Sequence, residues 1–371
     1  MVNIAFTGGG TGGHIYPGLA VAAELKNLLA GREFRLFWIG SSAGMDRSLV
    51  EEAGIEFFGV PSGKLRRYFS LRTIIDFFKI LAGYLASRKI LKKQKADILF
   101  SKGGFVSVPP CAAAASLRLP VFTHESDFSP GLATKINAHF AEYTKGKIFT
   151  AYSDTVKFFP KKLQGCTMVT GNPVRSIFKT ADAEKGIRFL NAEKDARIIL
   201  VLGGSQGAKE INDLVRAASP SLTDIYTVVH QTGPALDWDV KANDKYKPFP
   251  YIKDELPHVM AAAEIIMGRS GAGIWEWAVL GKPMLLIPLR GTGTRGDQVE
   301  NARYFQEAGA AQVLGENPTP QEMMLAVSSF ANDAKKREIM AAASFKIGNK
   351  DSAGIIAAAL AQNVCLGGGS K

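Results

Sequence analysis

Residues 7–14 combine the two kinds of group that a phosphate-handling site needs, a flexible backbone and a titratable side chain. The stretch Thr-Gly-Gly-Gly-Thr-Gly-Gly-His follows an apolar run, 2–6, that predicts a buried strand, and it leads into a helical stretch, 14–30. Between a strand and a helix, such a turn gathers unpaired N–H groups at the positive end of the helix dipole, which binds anions. His14 lies where the turn becomes the helix, so it could take a proton from a bound hydroxyl.

A second cluster of polar side chains, His-Glu-Ser-Asp at 124–127, closes a run, 120–124, that predicts another buried strand. If the strands are parallel, this cluster and the first glycine loop share the carboxyl edge of one sheet. Glu125 is then a candidate to orient His14 or to raise its pKa, since a nearby carboxylate favours the charged imidazole. The alternatives are that Glu125 makes structural hydrogen bonds to the glycine-rich loop and that His14 only belongs to the helix start.

Two further strand–loop–helix junctions occur in the second half of the chain. Gly-Gly-Ser-Gln-Gly-Ala at 203–208 follows an apolar strand, 197–202, and suits a diphosphate, with Ser205 supplying a hydroxyl donor. Residues 269–276, Arg-Ser-Gly-Ala-Gly-Ile-Trp-Glu, place an acid just inside a helix. Glu276 either caps that helix or accepts hydrogen bonds from a ribose diol, and the spacing leaves both interpretations open.

Redox and metal-dependent chemistry are disfavoured, and nucleoside-triphosphate hydrolysis is rejected. Gly-x-Gly-x-x-Gly at 8–13 resembles a dinucleotide fingerprint, but no acid for a ribose closes the second strand before Asp46. Lys209 follows the second glycine loop without the Ser or Thr of a nucleoside-triphosphate-hydrolysing loop. Asp-Trp-Asp at 237–239 matches a metal-binding pattern of sugar transferases, but it lies in a polar connection and is interpreted as a surface loop. We therefore predict no metal and no cofactor, with helix dipoles and backbone donors stabilising a leaving diphosphate.

These motifs require strands that alternate with helices. In the first half the strand candidates are 2–6, 34–39, 55–60, 97–101, 120–124 and 145–149, with helical stretches at 14–30, 45–53, 71–94, 106–117 and 130–140. The second half repeats the pattern, with strand candidates at 197–202, 225–230, 249–252, 264–268, 283–288 and 311–314. Near-continuous apolar strands between helices predict an α/β fold with two doubly wound, Rossmann-like parallel sheets. Ligands of such sheets bind at the carboxyl ends of the strands, so two facing domains would place the site in a central cleft.

A pause containing Gly and Pro around residues 171–175 predicts the linker between the domains. We expect a first domain over 1–170, a second over 171–345, and a last segment, 346–371, whose helix could return to the first domain before a flexible tail. Three scattered cysteines fit a reducing cytosol. No leader and no apolar run of the roughly 20 residues that span a bilayer is recognisable. We therefore expect a cytosolic protein unless something holds it to a surface.

Positive charge is concentrated in one segment. The formal net charge is +11, and residues 64–95 alone hold ten basic side chains and one acidic one, Asp76. Apolar residues recur at helical spacing within this segment, which favours a surface that presents apolar side chains ringed by cations to an anionic membrane. A solvated basic face is the alternative, and nucleic acid is disfavoured because no recognition module accompanies the charge.

Six motifs occur in an order that resembles the MurG family of bacterial UDP-N-acetylglucosamine transferases, and the likeness extends to about residue 345. The motifs are Gly9–His14, Gly103–Ser107, His124–Glu125, Gly171–Arg175, Gly203–Ala208 and Arg269–Ala272. The resemblance implies a two-domain glycosyltransferase of the B type (GT-B), inverting, metal-independent and peripheral on the cytoplasmic face of the bacterial cell membrane. It also implies that UDP-N-acetylglucosamine is the donor and lipid I the acceptor, with lipid II as the product in peptidoglycan synthesis.

The resemblance implies roles for individual residues. His14 corresponds to the proposed base, with Glu125 beside it; Ser205 meets the phosphate nearest the ribose, Ile252 holds the uracil through its backbone and Glu276 binds the ribose hydroxyls. Asp127 stands where the family usually has Asn, so it can accept a hydrogen bond from a sugar hydroxyl but cannot donate as an amide does. The remaining residues implied to contact the donor are Thr11, Gly12, Gly13, Arg175, Ala272, Gly273, Ile274, Trp275 and Gln298.

We therefore predict direct transfer of N-acetylglucosamine to lipid I. The alternatives are a transferase that acts on another membrane lipid, a UDP-sugar 2-epimerase, and a membrane-bound scaffold with an inactive nucleotide site. The predicted partners are the donor, the lipid acceptor, an anionic membrane surface through residues 64–95, and other cell-wall synthesis proteins.

Overall fold

The computed structural model describes residues 1–10, 12–43, 46–63, 71–204, 207–234, 242–291 and 295–367, without the side chains of 71–75 and 365–367. The chain forms two compact units. The first comprises Met1–Arg175 together with the C-terminal segment from Lys350, and the second is Ser176–Asn349. Arg175, which the sequence analysis assigned to the second domain, belongs to the first unit, where its guanidinium carbon lies 4.4 Å from the ring centroid of Tyr16.

The first unit is built on a sheet of seven parallel strands in the order β3-β2-β1-β4-β5-β6-β7. The strands are β1 (Val2–Thr7), β2 (Phe34–Ser41), β3 (Glu56–Val60), β4 (Ile98–Ser101), β5 (Val121–Glu125), β6 (Ile148–Thr150) and β7 (Thr167–Val169). Every residue of β4 and β5 is buried, as expected for strands covered on both faces. The connecting helices are α1 (Gly12–Leu28), α2 (Asp46–Glu52), α3 (Leu71–Lys93), α4 (Val108–Ser116), α5 (Leu132–Tyr143) and α6 (Lys161–Gln164).

The second unit has a sheet of six parallel strands in the order β10-β9-β8-β11-β12-β13. The strands are β8 (Ile198–Leu202), β9 (Thr227–Gln231), β10 (Tyr246–Phe249), β11 (Ile265–Gly268), β12 (Met284–Leu286) and β13 (Ala311–Val313). The helices are α7 (Ala183–Leu190), α8 (Lys209–Ile225), α9 (Leu256–Ala262), α10 (Ile274–Val279), α11 (Asp297–Glu307), α12 (Pro320–Asn332) and α13 (Ala334–Gly348). The predicted strand at 249–252 was displaced: the structure places β10 at Tyr246–Phe249, so only Phe249 belongs to both ranges.

The last helix, α14 (Ser352–Gly367), returns to the first unit, as the sequence analysis suggested. It packs on α1, and four of its apolar residues join the core cluster that contains Phe6 and Trp38. These four are Ile356, Ala357, Leu360 and Val364. Ser352 Oγ at its start donates a hydrogen bond to the carbonyl of Thr170 at 2.7 Å. None of the described helices has the length and apolar character needed to cross a membrane.

The direction in which successive strands are added reverses at the same point in both sheets. In the first unit β1 lies between β2 and β4, and in the second β8 lies between β9 and β11. The loops after β1 and β4 therefore diverge, as do those after β8 and β11. Each pair of loops leaves a crevice at the carboxyl edge of its sheet, which is where doubly wound sheets bind ligands. The predicted α/β fold with two Rossmann-like sheets is confirmed, and each glycine loop follows a strand at its reversal point.

Candidate active site

The first glycine loop follows β1 and is braced by a carboxylate. The N–H of Gly10 donates to both oxygens of Asp46, at 3.1 and 3.2 Å. A Cβ on Gly9 would lie 2.0 Å from Asp46 Oδ2, so only glycine allows this approach. Asp46 is buried, and burial raises its pKa against the opposing hydrogen bonds from the backbone of Gly10 and Ser41. The sequence analysis mentioned Asp46 only to note that no ribose-binding acid precedes it, and it overlooked the structural role of this carboxylate.

His14 lies in the first turn of α1, just after Gly12 and the exposed Gly13. Its Nδ1 is 3.2 Å from the carbonyl oxygen of Lys102. Because a carbonyl can only accept, a hydrogen bond here requires the proton on Nδ1, so that in the neutral imidazole Nε2 is the nitrogen that carries the lone pair. Thr11 lies outside the described residues.

The loop after β4 shapes the space beside the imidazole. Gly104 has a φ of +78°, and a Cβ there would lie 2.6 Å from the carbonyl of Gly9 and 3.5 Å from His14 Nε2. Gly103, with a φ of +86°, is also left-handed. The two adjacent glycines therefore let the loops after β1 and β4 approach each other around His14.

Glu125 ends β5 and binds the loop that follows it. Its Oε1 accepts from the N–H groups of Ser126 at 2.8 Å and Asp127 at 3.0 Å, and its Oε2 accepts from Gly131 N at 3.0 Å. Three backbone donors thus occupy the carboxylate. This geometry supports a structural role for Glu125, but its partners belong to the loop after β5 and not to the glycine-rich loop after β1. Orientation of His14 by Glu125 stays a prediction. Asp127 is half-buried in the same loop.

Two buried basic residues lie beneath this edge. His124 Nε2 donates to the carbonyl of Gly171 at 2.9 Å, and burial together with the charge of Lys102 lowers its pKa well below the usual value. Lys102 is also buried, and its Nζ donates to Ser126 Oγ. The sequence analysis did not select Lys102; its place between a buried strand and a Gly-Gly turn is the signal that could have indicated it.

In the second unit, the glycine loop after β8 precedes the 17-residue helix α8. Gly207 has a φ of +77°, and a Cβ there would lie 2.3 Å from the carbonyl of Thr232. Its N–H donates to the carbonyl of Gly204 at 3.1 Å, which closes a tight turn. A turn that leads into a helix is the setting in which backbone N–H groups bind an anion. Ser205 lies outside the described residues, as does the Asp-Trp-Asp sequence at 237–239.

The loop after β11 leads into α10. Ile274 and Trp275 are buried, and the Trp275 ring meets the Phe305 ring at a centroid distance of 5.6 Å, so their side chains belong to the core. A donor contact at these two positions would therefore use backbone atoms. Ala272 is half-buried, Gly273 is exposed, and the half-buried Glu276 has its N–H bound to the carbonyl of Gly273 at 2.9 Å.

Hydrogen bonds tether the neighbouring polar groups of the second unit. Ser270 Oγ donates to the carbonyl of Gln298 at 2.6 Å, and Gln298 Oε1 accepts from Leu289 N at 2.9 Å. The amide of Gln298 is thus oriented with its NH2 group as the remaining donor. Ile252 is buried, and its N–H donates to Gln231 Oε1 at 3.0 Å. A uracil held by the backbone of Ile252 would therefore contact its carbonyl, or would displace the Gln231 side chain to reach its N–H. Across the described ranges, no group of three or more His, Cys, Asp or Glu side chains could hold a metal ion.

Two family models match the chain. The glycosyltransferase family 28 N-terminal domain covers residues 4–144, and the glycosyltransferase family 28 C-terminal domain covers residues 198–355.

Curated relatives match most of the chain. It is 46% identical over 342 residues to the UDP-N-acetylglucosamine–N-acetylmuramyl-(pentapeptide) pyrophosphoryl-undecaprenol N-acetylglucosamine transferase of Treponema denticola, with 86% of each chain covered. The enzyme of the same name from Staphylococcus carnosus is 43% identical over 320 residues, with 85% of each chain covered.

Solved structures share the fold at lower identity. MurG of Acinetobacter baumannii superposes with a TM-score of 0.72 at 23% identity, over 98% of this chain and 100% of that one. The UDP-GlcNAc 2-epimerase of Neisseria meningitidis, solved with UDP-GlcNAc bound, gives a TM-score of 0.66 at 16% identity, over 98% and 100%. A transferase and an epimerase thus share this fold, so the fold does not by itself separate the two activities.

Proposed function

This chain belongs to glycosyltransferase family 28, and on that premise we propose that it transfers N-acetylglucosamine from UDP-N-acetylglucosamine to lipid I, forming lipid II. The predicted family and enzyme class are confirmed. The observation that carries the choice of reaction is the 46% identity over 86% of both chains to a relative with this name. The epimerase neighbour, at 16% identity, supports the fold alone.

The proposed reaction is a single displacement at the anomeric carbon of the sugar. The acceptor hydroxyl oxygen forms a bond to that carbon while the bond to the diphosphate oxygen breaks, and the electron pair leaves with UDP. His14 Nε2 takes the hydroxyl proton, which its Nδ1 contact with the Lys102 carbonyl supports. One displacement inverts the anomeric configuration. Positioning of the two substrates supplies much of the rate.

We assign donor binding chiefly to the second unit. The leaving diphosphate would be stabilised by the backbone donors of the glycine turn after β8, with Ser205 adding a hydroxyl. Glu276 would accept from the ribose hydroxyls, and Ile252 would hold the uracil. Further donor contacts are proposed for Thr11, Gly12, Gly13, Asp127, Arg175, Ala272, Gly273, Ile274, Trp275 and Gln298. The mechanism needs no metal, because helix dipole and backbone N–H groups meet the developing charge.

A surface of the first unit supports attachment to a membrane. The apolar side chains Phe77, Phe78, Leu81 and Leu85 of α3 are 46–63% exposed, and we call them the α3 apolar face. Their spacing puts them on one side of the helix, and the exposed Lys89, Lys92 and Lys93 follow on the same helix. Apolar side chains next to cations suit an anionic bilayer surface, where the lipid acceptor is found. Residues 64–70 of the predicted basic segment lie outside the described residues.

Tyr84, an apolar residue of the same helix, instead packs against the core beneath α3. The α3 apolar face thus includes only part of the apolar residues that recur at helical spacing in this segment. We propose that this face holds the enzyme at the cytoplasmic side of the bacterial membrane. Contact with other cell-wall synthesis proteins stays a prediction.

The test is transfer with labelled UDP-N-acetylglucosamine and lipid I in detergent or vesicles, with and without a chelator. We expect a lipid-linked disaccharide and free UDP as the products, formed at the same rate with and without the chelator. A diacylglycerol acceptor and a sample without acceptor serve as controls for the rival activities. Transfer only with metal would refute the mechanism, whereas transfer only to diacylglycerol or epimerised UDP-sugar without acceptor would refute the assignment.

A further inference from the structure

A buried amide of α5 connects the two ends of the loop after β4. Asn137 is 0% exposed, and its Nδ2 donates to Ser101 Oγ at 3.2 Å and to Ser107 Oγ at 2.8 Å. Ser101 ends β4 and Ser107 directly precedes α4, so one amide group holds the residues on either side of the Gly103–Gly104 turn. Both serines are also fully buried, so water does not compete for these hydrogen bonds.

Each of the two serines in turn holds one peptide group of this turn. Ser101 Oγ accepts from the N–H of Gly103 at 3.2 Å, and Ser107 Oγ donates to the carbonyl of Gly104 at 2.8 Å. Both glycines have left-handed φ angles, and glycine has more conformational freedom to lose than any other residue. The serines therefore restrain a turn whose own residues restrain it little.

The Lys102–Gly103 peptide group carries this restraint to His14. Its N–H, from Gly103, donates to Ser101 Oγ, and its carbonyl, from Lys102, is 3.2 Å from His14 Nδ1. Because a peptide group is planar, a hydrogen bond at the N–H also restrains the direction of the carbonyl. A hydrogen bond from Nδ1 to this carbonyl requires the proton on Nδ1 and leaves the lone pair of the neutral imidazole on Nε2. The tautomer of His14 thus depends on how this peptide group is held.

The Asn137 amide leaves one of its own polar atoms unpaired. Among the described residues, its Oδ1 has no hydrogen-bond partner, although the side chain is buried. A buried acceptor without a partner lowers the stability of a fold. A leucine has nearly the same shape and no such acceptor, and with leucine here Ser101 and Ser107 would keep their hydrogen bonds to the turn. The amide is therefore better explained by what it positions than by what it adds to stability.

We propose that Asn137 is a positioning residue for His14, which keeps the imidazole with its proton on Nδ1 and its lone pair on Nε2. It acts through Ser101 and the Lys102–Gly103 peptide group. Its second hydrogen bond restrains the Gly104 end of the turn, where a Cβ would lie 3.5 Å from His14 Nε2. The effect on catalysis rests on the proposed function, in which His14 is the base, whereas the orientation of the ring does not.

The first readout is the tautomer of His14, measured by NMR on protein that contains isotope-labelled histidine, at a pH where the imidazole is neutral. The chemical shifts of the two ring nitrogens report which of them carries the proton, and His14→Ala identifies the signals among the five histidines. We expect the proton on Nδ1 in the wild type and a mixture of tautomers in Asn137→Leu. A wild-type proton on Nε2, or an unchanged tautomer in folded Asn137→Leu protein, would overturn the proposal.

The second readout is the rate of transfer to lipid I. Asn137→Leu should lower kcat about 10–100-fold with the donor KM little changed, because the substitution displaces the base and leaves the proposed donor contacts in place. The melting temperature should stay near that of the wild type, because an unpaired buried oxygen is removed. An unchanged kcat, or a large fall in melting temperature with an unchanged tautomer, would overturn the positioning role.

Ser101→Ala tests the route by which the amide acts. If Asn137 acts through Ser101, Asn137→Leu should lower kcat little further in Ser101→Ala protein, so the two substitutions should not be additive. Additive effects would overturn this route. Ser101→Ala alone should also mix the tautomers of His14, so it replaces Asn137→Leu if that variant does not fold. An unchanged tautomer in Ser101→Ala would then overturn the proposal.

Asn3→Leu is the matched control. Asn3 lies in the same unit near the start of β1, is 8% exposed, and donates through Nδ2 to the carbonyl of Lys95 at 3.2 Å. This amide lies at the amino edge of the sheet, whereas His14 lies at the carboxyl edge, so the tautomer and kcat should match the wild type. The same changes in this control would overturn a specific role for Asn137.

Failure of the proposed function is distinguishable from failure of this inference. Wild-type protein that transfers no sugar to lipid I refutes the function itself. The tautomer of His14 is measured without any substrate, so the comparison of wild type, Asn137→Leu and Asn3→Leu still decides whether the amide positions the ring. A tautomer that changes in Asn137→Leu alone supports the inference, and one that does not change overturns it.

Discussion

Each unit has a basic residue directly after the strand that follows the reversal of its sheet, but the two residues are held differently. In the first unit Lys102 follows β4, is buried and has its pKa lowered to about 8. In the second unit Arg269 follows β11; its guanidinium pairs with Glu210 of α8 and donates to the carbonyl of Ile287 at 3.1 Å. A guanidinium keeps its charge at any working pH, whereas this ammonium can lose its proton.

The difference extends to the neighbours of each residue. Lys102 is surrounded by titratable side chains, His14 at its carbonyl and His124, Glu125 and Asp127 around its ammonium. Arg269 is followed by Ser270, which hydrogen-bonds to backbone and binds the start of α11. We therefore propose that the edge of the first unit serves proton transfer and that the edge of the second unit serves donor binding.

Replacing His14 gives the strongest test of this division. His14→Ala should lower kcat about 10²–10⁴-fold, because a general base is lost, with the donor KM little changed. His139→Ala, at an exposed position of α5, is the control and should keep the wild-type rates. Steady-state kinetics with both substrates provide the measurement. A kcat near the wild-type value would remove proton transfer from the first unit's edge.

Replacing Glu276 should give the opposite kinetic pattern. Glu276→Ala should raise the donor KM about 10–100-fold with a small change in kcat, since hydrogen bonds to a carboxylate contribute about 1.5–3 kcal/mol. Glu276→Gln should fall between, because an amide oxygen still accepts. Glu307→Ala, which breaks only the exposed pair with Arg303, should match the wild type. If kcat falls and the donor KM does not change, the second edge does more than bind.

We also expect the two units to differ in membrane binding, because the α3 apolar face belongs to the first unit. Phe77→Ser combined with Phe78→Ser should lower the partition to vesicles of anionic phospholipid about tenfold, since each phenyl ring loses its burial in lipid. The control pair is Leu325→Ser with Ile339→Ser, two exposed positions of the second unit that should leave partition unchanged. Co-sedimentation measures both. Equal losses in the two pairs would indicate nonspecific adsorption.

The sequence predicted the fold well because glycine loops and apolar strands are local patterns. It located the loops after β1, β4, β5, β8 and β11, but it did not predict the order of the strands in either sheet. It missed β7, which is only three residues long. It also missed the environments of Asp46 and Lys102. Charged residues are usually exposed, so no local pattern shows that Asp46 binds Gly10, 36 positions away, and the position of Lys102 between a buried strand and a Gly-Gly turn was the one local sign of its burial.

The return of α14 has a consequence for biosynthesis. The core of the first unit includes Ile356 and Leu360, which are translated after the entire second unit. A nascent chain that has emerged only as far as Asn349 therefore exposes the apolar surface that α14 will cover. The first unit therefore lacks part of its core until α14 has been synthesised, and the second unit, although later in sequence, is the first with all of its residues. Removal of α14 should thus destabilise the first unit.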